Sequence, residues 1–521
     1  MTKTLTDLMQ SGYNAFTNND YSQTISHCEA VLSIAPDKAE AHHLMSHAYK
    51  VLGNHHLSEA LLYRAIALDS ANPQYHYNAA VNASEQGHQN RAMLHYAQAL
   101  RVSPDMHDAL WNYGECLRLD EHFDLALACF ERLVSLGQTH YRGLWHRMAV
   151  CCASLGHYDR ADDMFLRAIA EGETLSRWEY ALFLLSLEKF KAGFAYYNDR
   201  FLCDGRNSVF CHDFPYPLWD GTFTKGSMIL IHGEQGLGDE LMFASLFHEL
   251  LNDAAANDAR VIIGCKPPVA RLFSESFANV DIRAHKVGEH AADVSDLPIT
   301  AQLPMGHLPS IYRHTEQDFI SHQGAYFKAN AERIAYYATQ IVKLGRERID
   351  GQRRFRVGLM WGSNPAAVSA KFTRWSSQRS IHIGLFEPFA ELIGDVEFVS
   401  LQNAERGAEA ALAPKLNIVD FSLDQADFYD TAALISNLDL VISVDTSVSH
   451  LAGGMAVETW VPLMSRPDWR HGKTRERSLW YSNTRYFRQT TPNDWRNVLD
   501  EMQQALRERV SQWKQSQPHK P

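Results

Sequence analysis

The sequence predicts an α-helical solenoid over residues 1–203, followed by an α/β half in which two parallel-sheet domains, 226–345 and 355–521, face one another. Three observations lead to that reading. Small and apolar residues recur with a period of 34 through the first part. The segment 204–225 breaks the period and is rich in glycine, proline and aromatic residues. Beyond it, short apolar runs alternate with stretches of helical periodicity, the pattern of strands buried on both faces and covered by helices.

The solenoid rests on three columns. Gly12, Ser46, Ala80, Gly114 and Met148 stand 34 apart, and all but the last are small, as the close approach of two helices in a hairpin requires. Thr24, Ser58, Ala92 and Ala126 form a second small column, and Cys28, Leu62, Tyr96 and Phe130, one helical turn further on, form a third of larger side chains. Pro36 and Pro104 share a phase, with Pro73 displaced by three, and a proline there is expected to end the second helix of each pair. These columns resemble the tetratricopeptide repeat over about residues 5 to 170, with a degenerate further unit around Trp178 to Phe201. Repeats of that kind stack into a superhelix with an extended concave face, so the resemblance implies a protein or peptide partner. The plainer alternative is an array that pairs two copies of the chain or shields its core.

The next segment, DGRNSVFCHDFPYPLWDGTFTK, has no helical period. A flexible linker would be Gly/Ser-rich, whereas Phe210, Phe214, Tyr216 and Trp219 make 204–225 a packed connector. After it, Met228 to His232 is an apolar run that leads into GEQGLGDE and then a helical pattern: strand, glycine-rich turn, helix. Val261 to Gly264, Arg356 to Trp361, Glu397 to Gln402, Asn417 to Asp420 and Leu440 to Val444 read as further strands. GRERIDGQRR, 345–354, divides them into two sets, and two facing doubly wound domains leave a cleft at the carboxyl ends of their strands.

Composition agrees with packed cores: 521 residues, 45% apolar and 11% aromatic. A net charge of −12, from 61 acidic and 49 basic residues spread along the chain, argues against nucleic acid as the main partner. No run approaches the roughly 20 apolar residues of a membrane span, and MTKTLTDLMQSGYNAF lacks the layout of a secretory signal, so a cytoplasmic protein is expected. Eight cysteines show no CxxC spacing, and 26 histidines come with no carboxylate or cysteine pattern. They read as buried or idle thiols and as surface or helix-packing imidazoles rather than a disulfide frame or a metal site.

GLGDE at 236–240, RVGLMWGSNP at 356–365 and DTSVSHLAG at 445–453, in that order, resemble the heptosyltransferase-type B-fold glycosyltransferases, in the bacterial branch with tetratricopeptide repeats in front. PDWR at 467–470 and WYSNTRYFRQ at 480–489 resemble the closing segment of that branch. The layout is similar to that of O-linked N-acetylglucosamine transferases and of certain bacterial flagellin glycosyltransferases. The resemblance implies two Rossmann-like domains, acceptor-side and then nucleotide-sugar-binding. It further implies an inverting transfer that needs no metal and no cofactor, the nucleotide-sugar being a substrate.

Glycosyl transfer requires a base for the acceptor hydroxyl and a cradle for the departing phosphate. Asp239 is the candidate base: it stands where a strand hands over to a helix, with Gly236 and Gly238 permitting close approach to backbone, and the resemblance implies the role. An aspartate in that place also caps a helix without any chemistry. Asp445 to His450 follows the strand LVISV and opens a helix beginning at about Ser449, where N–H groups can receive phosphate. The resemblance carries donor phosphate binding to Asp445, Thr446 and His450, with Ser447 where many relatives have glycine; an Asp-Thr capping pair is the alternative. Lys371, Arg374 and Arg379 are candidate cations for the leaving phosphate, each otherwise a solvated surface residue. Ser363 and Asn364 at one strand tip, and Gln402 at another, are placed by position alone to line the nucleotide site. Trp469, Trp480 and Tyr481, with Arg470 and Arg488, read as packing against the repeats or the first sheet domain.

The expected activity is transfer of a sugar to Ser or Thr of a protein, with flagellin the leading acceptor by analogy with the branch. A glycan or lipopolysaccharide-core acceptor, and an inactive transferase acting as a scaffold, are the competing readings.

Overall fold

A computed structural model describes residues 4–203, 209, 212–286, 291–344, 352–363 and 376–517. Twelve helices come first: α1 Leu5–Thr17, α2 Tyr21–Ile34, α3 Ala39–Val51, α4 His55–Leu68, α5 Pro73–Glu85, α6 Gln89–Val102, α7 His107–Leu119, α8 Phe123–Ser135, α9 Leu144–Ser154, α10 Tyr158–Ala170, α11 Thr174–Ser186 and α12 Phe190–Tyr197. The chain divides into two units, Met1–Ser176 and Arg177–Pro521.

In the first unit α1 packs on α2, α3 on α4, α5 on α6, α7 on α8 and α9 on α10, and each pair packs on the next. All three sequence columns are buried: Ser46, Ala80 and Met148 in the first, Thr24, Ser58, Ala92 and Ala126 in the second, Cys28, Leu62, Tyr96 and Phe130 in the third. Gly12 and Gly114 are buried as well. A Cβ on Gly114 would lie 2.7 Å from Phe130 Cε1, so the third column presses into the first. The period has a second cause in the turns. Asn19, Gly53, Gly87 and Glu121 each sit between the helices of a hairpin with φ of 61°, 78°, 77° and 68°, the left-handed conformation that ends a helix and reverses the chain. Helix starts are capped by polar side chains: Asp20 accepts from Gln23 N–H at 3.0 Å and Asn54 from Leu57 N–H at 3.2 Å. Pro36 and Pro104 follow α2 and α6, as expected. Pro73 departs from the expectation: it is the first residue of α5 rather than the end of α4, because proline has no N–H to lose at that position and its φ is already helical.

Among its described residues the second unit holds two all-parallel sheets. The strands are β1 Met228–His232, β2 Arg260–Cys265, β3 Asp281–Ala284, β4 Ala301–Pro304, β5 Phe355–Met360, β6 Val396–Ser400, β7 Val419–Asp420, β8 Leu440–Ser443, β9 Thr459–Leu463 and β10 Thr484–Arg488. The first sheet runs β3-β2-β1-β4 and the second β10-β9-β8-β5-β6-β7. In each, the strand order reverses beside the first strand of the sheet, at β1 and at β5. The central strands β1, β6 and β8 are buried at every position, the mark of a sheet covered on both faces. Phe214 and Tyr216 of the connector pack against Met228, Leu230 and Ile262, and Trp219 N–H donates to Gln302 O of β4 at 2.8 Å. The core of the second sheet gathers Phe355, Trp361, Phe398 and Ile442 with one stripe of the last helix, Arg496–Ser516, whose Val498, Met502, Leu506, Val510 and Trp513 recur at helical spacing.

Candidate functional site

The turn after β1 leads into α13, Leu237–Phe243, with Gly236 as its N-cap residue. Asp239 Oδ2 accepts the Gly236 N–H at 2.9 Å. Its other oxygen, Oδ1, accepts from Arg470 Nη2. The capping contact and the charged contact therefore coexist on one carboxylate, an oxygen each. Burial raises the Asp239 pKa, Arg470 opposes the shift, and the neighbouring Asp468 and Glu234 reinforce it.

The turn after β8 leads into the helix Ser447–Gly454, two residues earlier than the sequence suggests. Thr446 is its N-cap residue but makes no side-chain cap; its hydroxyl pairs with Ser443 Oγ at 3.1 Å instead. Asp445 Oδ1 lies 3.1 Å from His471 Nε2 and Oδ2 lies 3.8 Å from Arg379 Nη1. Burial alone would raise the Asp445 carboxyl, but His471 and Arg379 outweigh it and hold the group far below the usual carboxylate range. His450 Nδ1 is 2.9 Å from Tyr481 OH, and burial pushes the imidazole down to about 3, so it is neutral. Its ring lies against Gly238: a Cβ there would be 3.1 Å from His450 Cδ2 and 3.6 Å from Ser447 Cα.

One short segment joins the two turns. In the 3-10 turn Trp469–His471, Arg470 reaches Asp239 while His471, the next residue, reaches Asp445. Asp468 fixes the arginine, accepting from Arg470 Nη1 at 2.6 Å, and the guanidinium lies 4.6 Å over the Trp469 ring. In the sequence Arg470 figures only within PDWR and as a packing residue, and His471 not at all, since their partners lie far away in the chain.

The remaining candidates divide. Both ends of the Gln402 amide are taken by the backbone of Gly362, Nε2 donating to its O at 3.0 Å and Oε1 accepting from its N–H at 3.2 Å. Gln402 thus ties the ends of β5 and β6 together. Ser363 is buried, its Oγ 2.5 Å from Ser376 Oγ, and its carbonyl accepts from Arg406 Nη1 at 2.9 Å, so Arg406 joins the strand tips where sequence gave no hint of it. Asn364, Lys371 and Arg374 lie outside the described residues.

Beneath the Asp239 turn is a second polar cluster the sequence did not disclose. Arg200, wholly buried, donates through Nη2 to Glu234 Oε1 at 2.7 Å and stands 3.1 Å from His307 Nδ1. Tyr197 OH donates to Gln235 Oε1 at 2.9 Å, and Lys266 Nζ donates to Gln235 O and, at 2.9 Å, to Glu240 Oε1. These contacts fix the turn 233–236 from below. Among the described residues no group of three or more His, Cys, Asp or Glu side chains is placed to hold a metal ion.

The tetratricopeptide-repeat family matches residues 39–72, the span of α3 and α4. That stretch is a tetratricopeptide repeat. Over 386 residues the chain is 27% identical to Protein FlbA of Caulobacter vibrioides, covering 70% of this chain and 61% of that protein. The chain thus spans about three fifths of that relative's length. Among solved structures, MamA is 19% identical, with 34% of this chain and 97% of that chain covered and a TM-score of 0.30. YrrB, a tetratricopeptide-repeat protein with an unusual peptide-binding site, is 16% identical, with 32% and 84% covered and a TM-score of 0.29. PilF of Pseudomonas aeruginosa is 18% identical, with 39% and 92% covered and a TM-score of 0.32. No helix among the described residues is long and apolar enough to cross a membrane.

Proposed function

We propose that the chain is a glycosyltransferase that moves a sugar from a nucleotide-sugar to Ser or Thr of a protein, with the repeats presenting the acceptor and Asp239 serving as the base. The observation that carries this reading is the meeting of the two strand-end turns: Asp239 after β1 and Asp445 after β8, drawn together through Arg470 and His471. Both turns stand at carboxyl ends of parallel strands. The second sheet has the order of a dinucleotide-binding fold, β7-β6-β5-β8-β9-β10 corresponding to 3-2-1-4-5-6, and β5 and β8 flank its switch point. Two Rossmann-like halves of a B-type transferase account for that arrangement.

In this mechanism the acceptor hydroxyl gives its proton to Asp239 as its oxygen bonds to the anomeric carbon. The bond from that carbon to the donor phosphate breaks on the opposite face, which inverts the configuration. The leaving phosphate takes the electron pair, and its charge is met by N–H groups at the start of the helix Ser447–Gly454 and by Arg379 nearby. The raised pKa of Asp239 suits a proton acceptor. Asp445 is better suited to orienting Arg379 and His471 than to touching an anion, since it is itself a carboxylate. No metal is required, and the reaction belongs in the cytoplasm, where nucleotide-sugars are made. The tetratricopeptide repeat suggests a protein partner, which favours a protein acceptor over a glycan. Flagellin leads by the resemblance of the motifs.

The test is intact-protein mass of candidate flagellin after incubation with ADP-, UDP-, GDP- and CMP-sugars, with chelator present. The expected result is a sugar-sized gain that survives the chelator and falls about 10²- to 10⁴-fold in rate with Asp239→Asn. Asparagine keeps an oxygen for the Gly236 N–H, so this variant removes the base and spares the cap. Transfer to a glycan instead would move the acceptor assignment. Binding of the protein with no turnover of any donor would leave a scaffold.

A further inference from the structure

The carboxylate proposed as base is already in an ion pair with Arg470. Arg470 spans Asp239 and Asp468, and Arg379 and His471 flank Asp445. A phosphate that engages Arg470 or Arg379 takes the place of a carboxylate on that cation. Arg470 is the cation best placed to make that exchange. Asp468 holds its Nη1 side and Trp469 lies under its plane, so the guanidinium stays oriented if Asp239 is displaced. Asp239 in turn keeps its Gly236 N–H contact through Oδ2 when Oδ1 lets go. Arg470 also lies near the start of the helix Ser447–Gly454: His450, in the first turn of that helix, feels the charges of Arg470, His471, Arg379 and Asp445 together and sits against Gly238, next to Asp239.

We infer that Arg470 is an anion-recruiting latch. In the unliganded protein it pairs with Asp239, and the phosphate or diphosphate of the donor takes over its Nη2 face, releasing the carboxylate for the acceptor hydroxyl only when a donor is bound. This rests on the transferase reading above and adds an order to it: donor first, acceptor second. The exchange swaps one charge-assisted hydrogen bond for another, so its cost is small and its direction is set by the anion. It also keeps the Nη2 face of Arg470 paired before the donor arrives.

The test is calorimetric titration of the full chain with inorganic pyrophosphate at fixed ionic strength, on wild type, Asp239→Asn, Arg470→Ala and the double variant. Asp239→Asn frees Arg470 and is expected to tighten pyrophosphate binding about tenfold in the wild-type background and less than about twofold when Arg470 is alanine. Arg470→Gln, which keeps a donor for Asp468 and loses the charge, serves in place of an alanine variant that does not fold. Equal tightening in both backgrounds would be the general field of a lost carboxylate and would overturn the latch, as would no tightening or no binding by any of the four proteins. The transfer assay separates the two ideas. If Asp239→Asn still transfers sugar, the base assignment falls whatever pyrophosphate does; if it is dead in transfer but binds no tighter, only the latch falls.

Discussion

His450 occupies the space that a side chain on Gly238 would need. Its Cδ2 would come 3.1 Å from a Cβ at that position, and the Cα of Ser447 would come 3.6 Å from it. The helices that carry the two site turns, α13 and Ser447–Gly454, thus approach closely at Gly238. Tyr326 reinforces the junction, its OH donating to Leu241 O at 2.9 Å and its N–H to Gly454 O at 2.9 Å. Gly238→Ala should therefore lower stability by about 1–3 kcal/mol through overpacking. The check is the urea midpoint of the second unit's transition. The loss should shrink in a His450→Ala background, and an unchanged midpoint in the single variant would mean that the helices separate freely.

Arg200 and Glu234 test the floor of the site. Arg200→Met strands a buried carboxylate and should cost about 3–5 kcal/mol, whereas Arg200→Met with Glu234→Gln should recover much of that by removing both charges. Denaturant unfolding of the three proteins decides it. A double variant no better than the single one would show that the guanidinium matters for its packing over Tyr197 and Phe201, 5.0 and 4.4 Å from its carbon, more than for its charge.

In the array, Gly114→Ala places a methyl group 2.7 Å from Phe130 Cε1 and 3.2 Å from Cys129 Cβ. A loss of about 1–3 kcal/mol is expected, partly restored by Phe130→Leu, which gives the new methyl room. Thermal unfolding followed by far-ultraviolet circular dichroism reads both. Restoration in the double variant is the outcome that ties the period-34 columns to helix approach.

Acid should weaken the second unit through its buried histidines. Burial pushes His232 down to about 4, His307 to about 2 and His450 to about 3. In the unfolded chain each titrates near 6.5, so below that pH the unfolded state binds protons that the folded state refuses. Stability is full above about pH 6.5 and falls toward pH 4, by up to about 1.4 kcal/mol per pH unit for each histidine. Urea midpoints from pH 7 to 5 should follow that slope, and His307→Gln should flatten it by one group's share.

The helical half was legible because its signal is local. The columns through Gly12, Thr24 and Cys28 repeat at a spacing set by one hairpin, and each member is buried for the same reason as the last. The strands β1, β2, β5, β6 and β8 were legible because burial on both faces demands an unbroken apolar run. Asn417 to Asp420 also reads as a strand, and its last two residues form β7; β3, β4, β9 and β10 give no such run. β3 is half exposed and reads DIRA; β4 ends in proline. β9 contains Pro462, a residue that argues against a strand inside a sheet. It is tolerated because β8 pairs with β9 only at Thr459 and Trp460, so Pro462 lies beyond that ladder.

What the sequence by itself determined is therefore the repeat, the strand-turn-helix units and the position of Asp239 and Asp445 at the ends of buried strands. Only the tertiary structure decided which charges meet. Arg470 finds Asp239 from 231 positions away, and Arg200 finds Glu234 and His307 from 34 and 107 away. Such pairs leave no period or spacing in a chain, because a buried charge is satisfied by whatever partner the packing brings within reach. The same holds for Gln402, whose amide was free to read a ligand until folding committed both its ends to the backbone of Gly362.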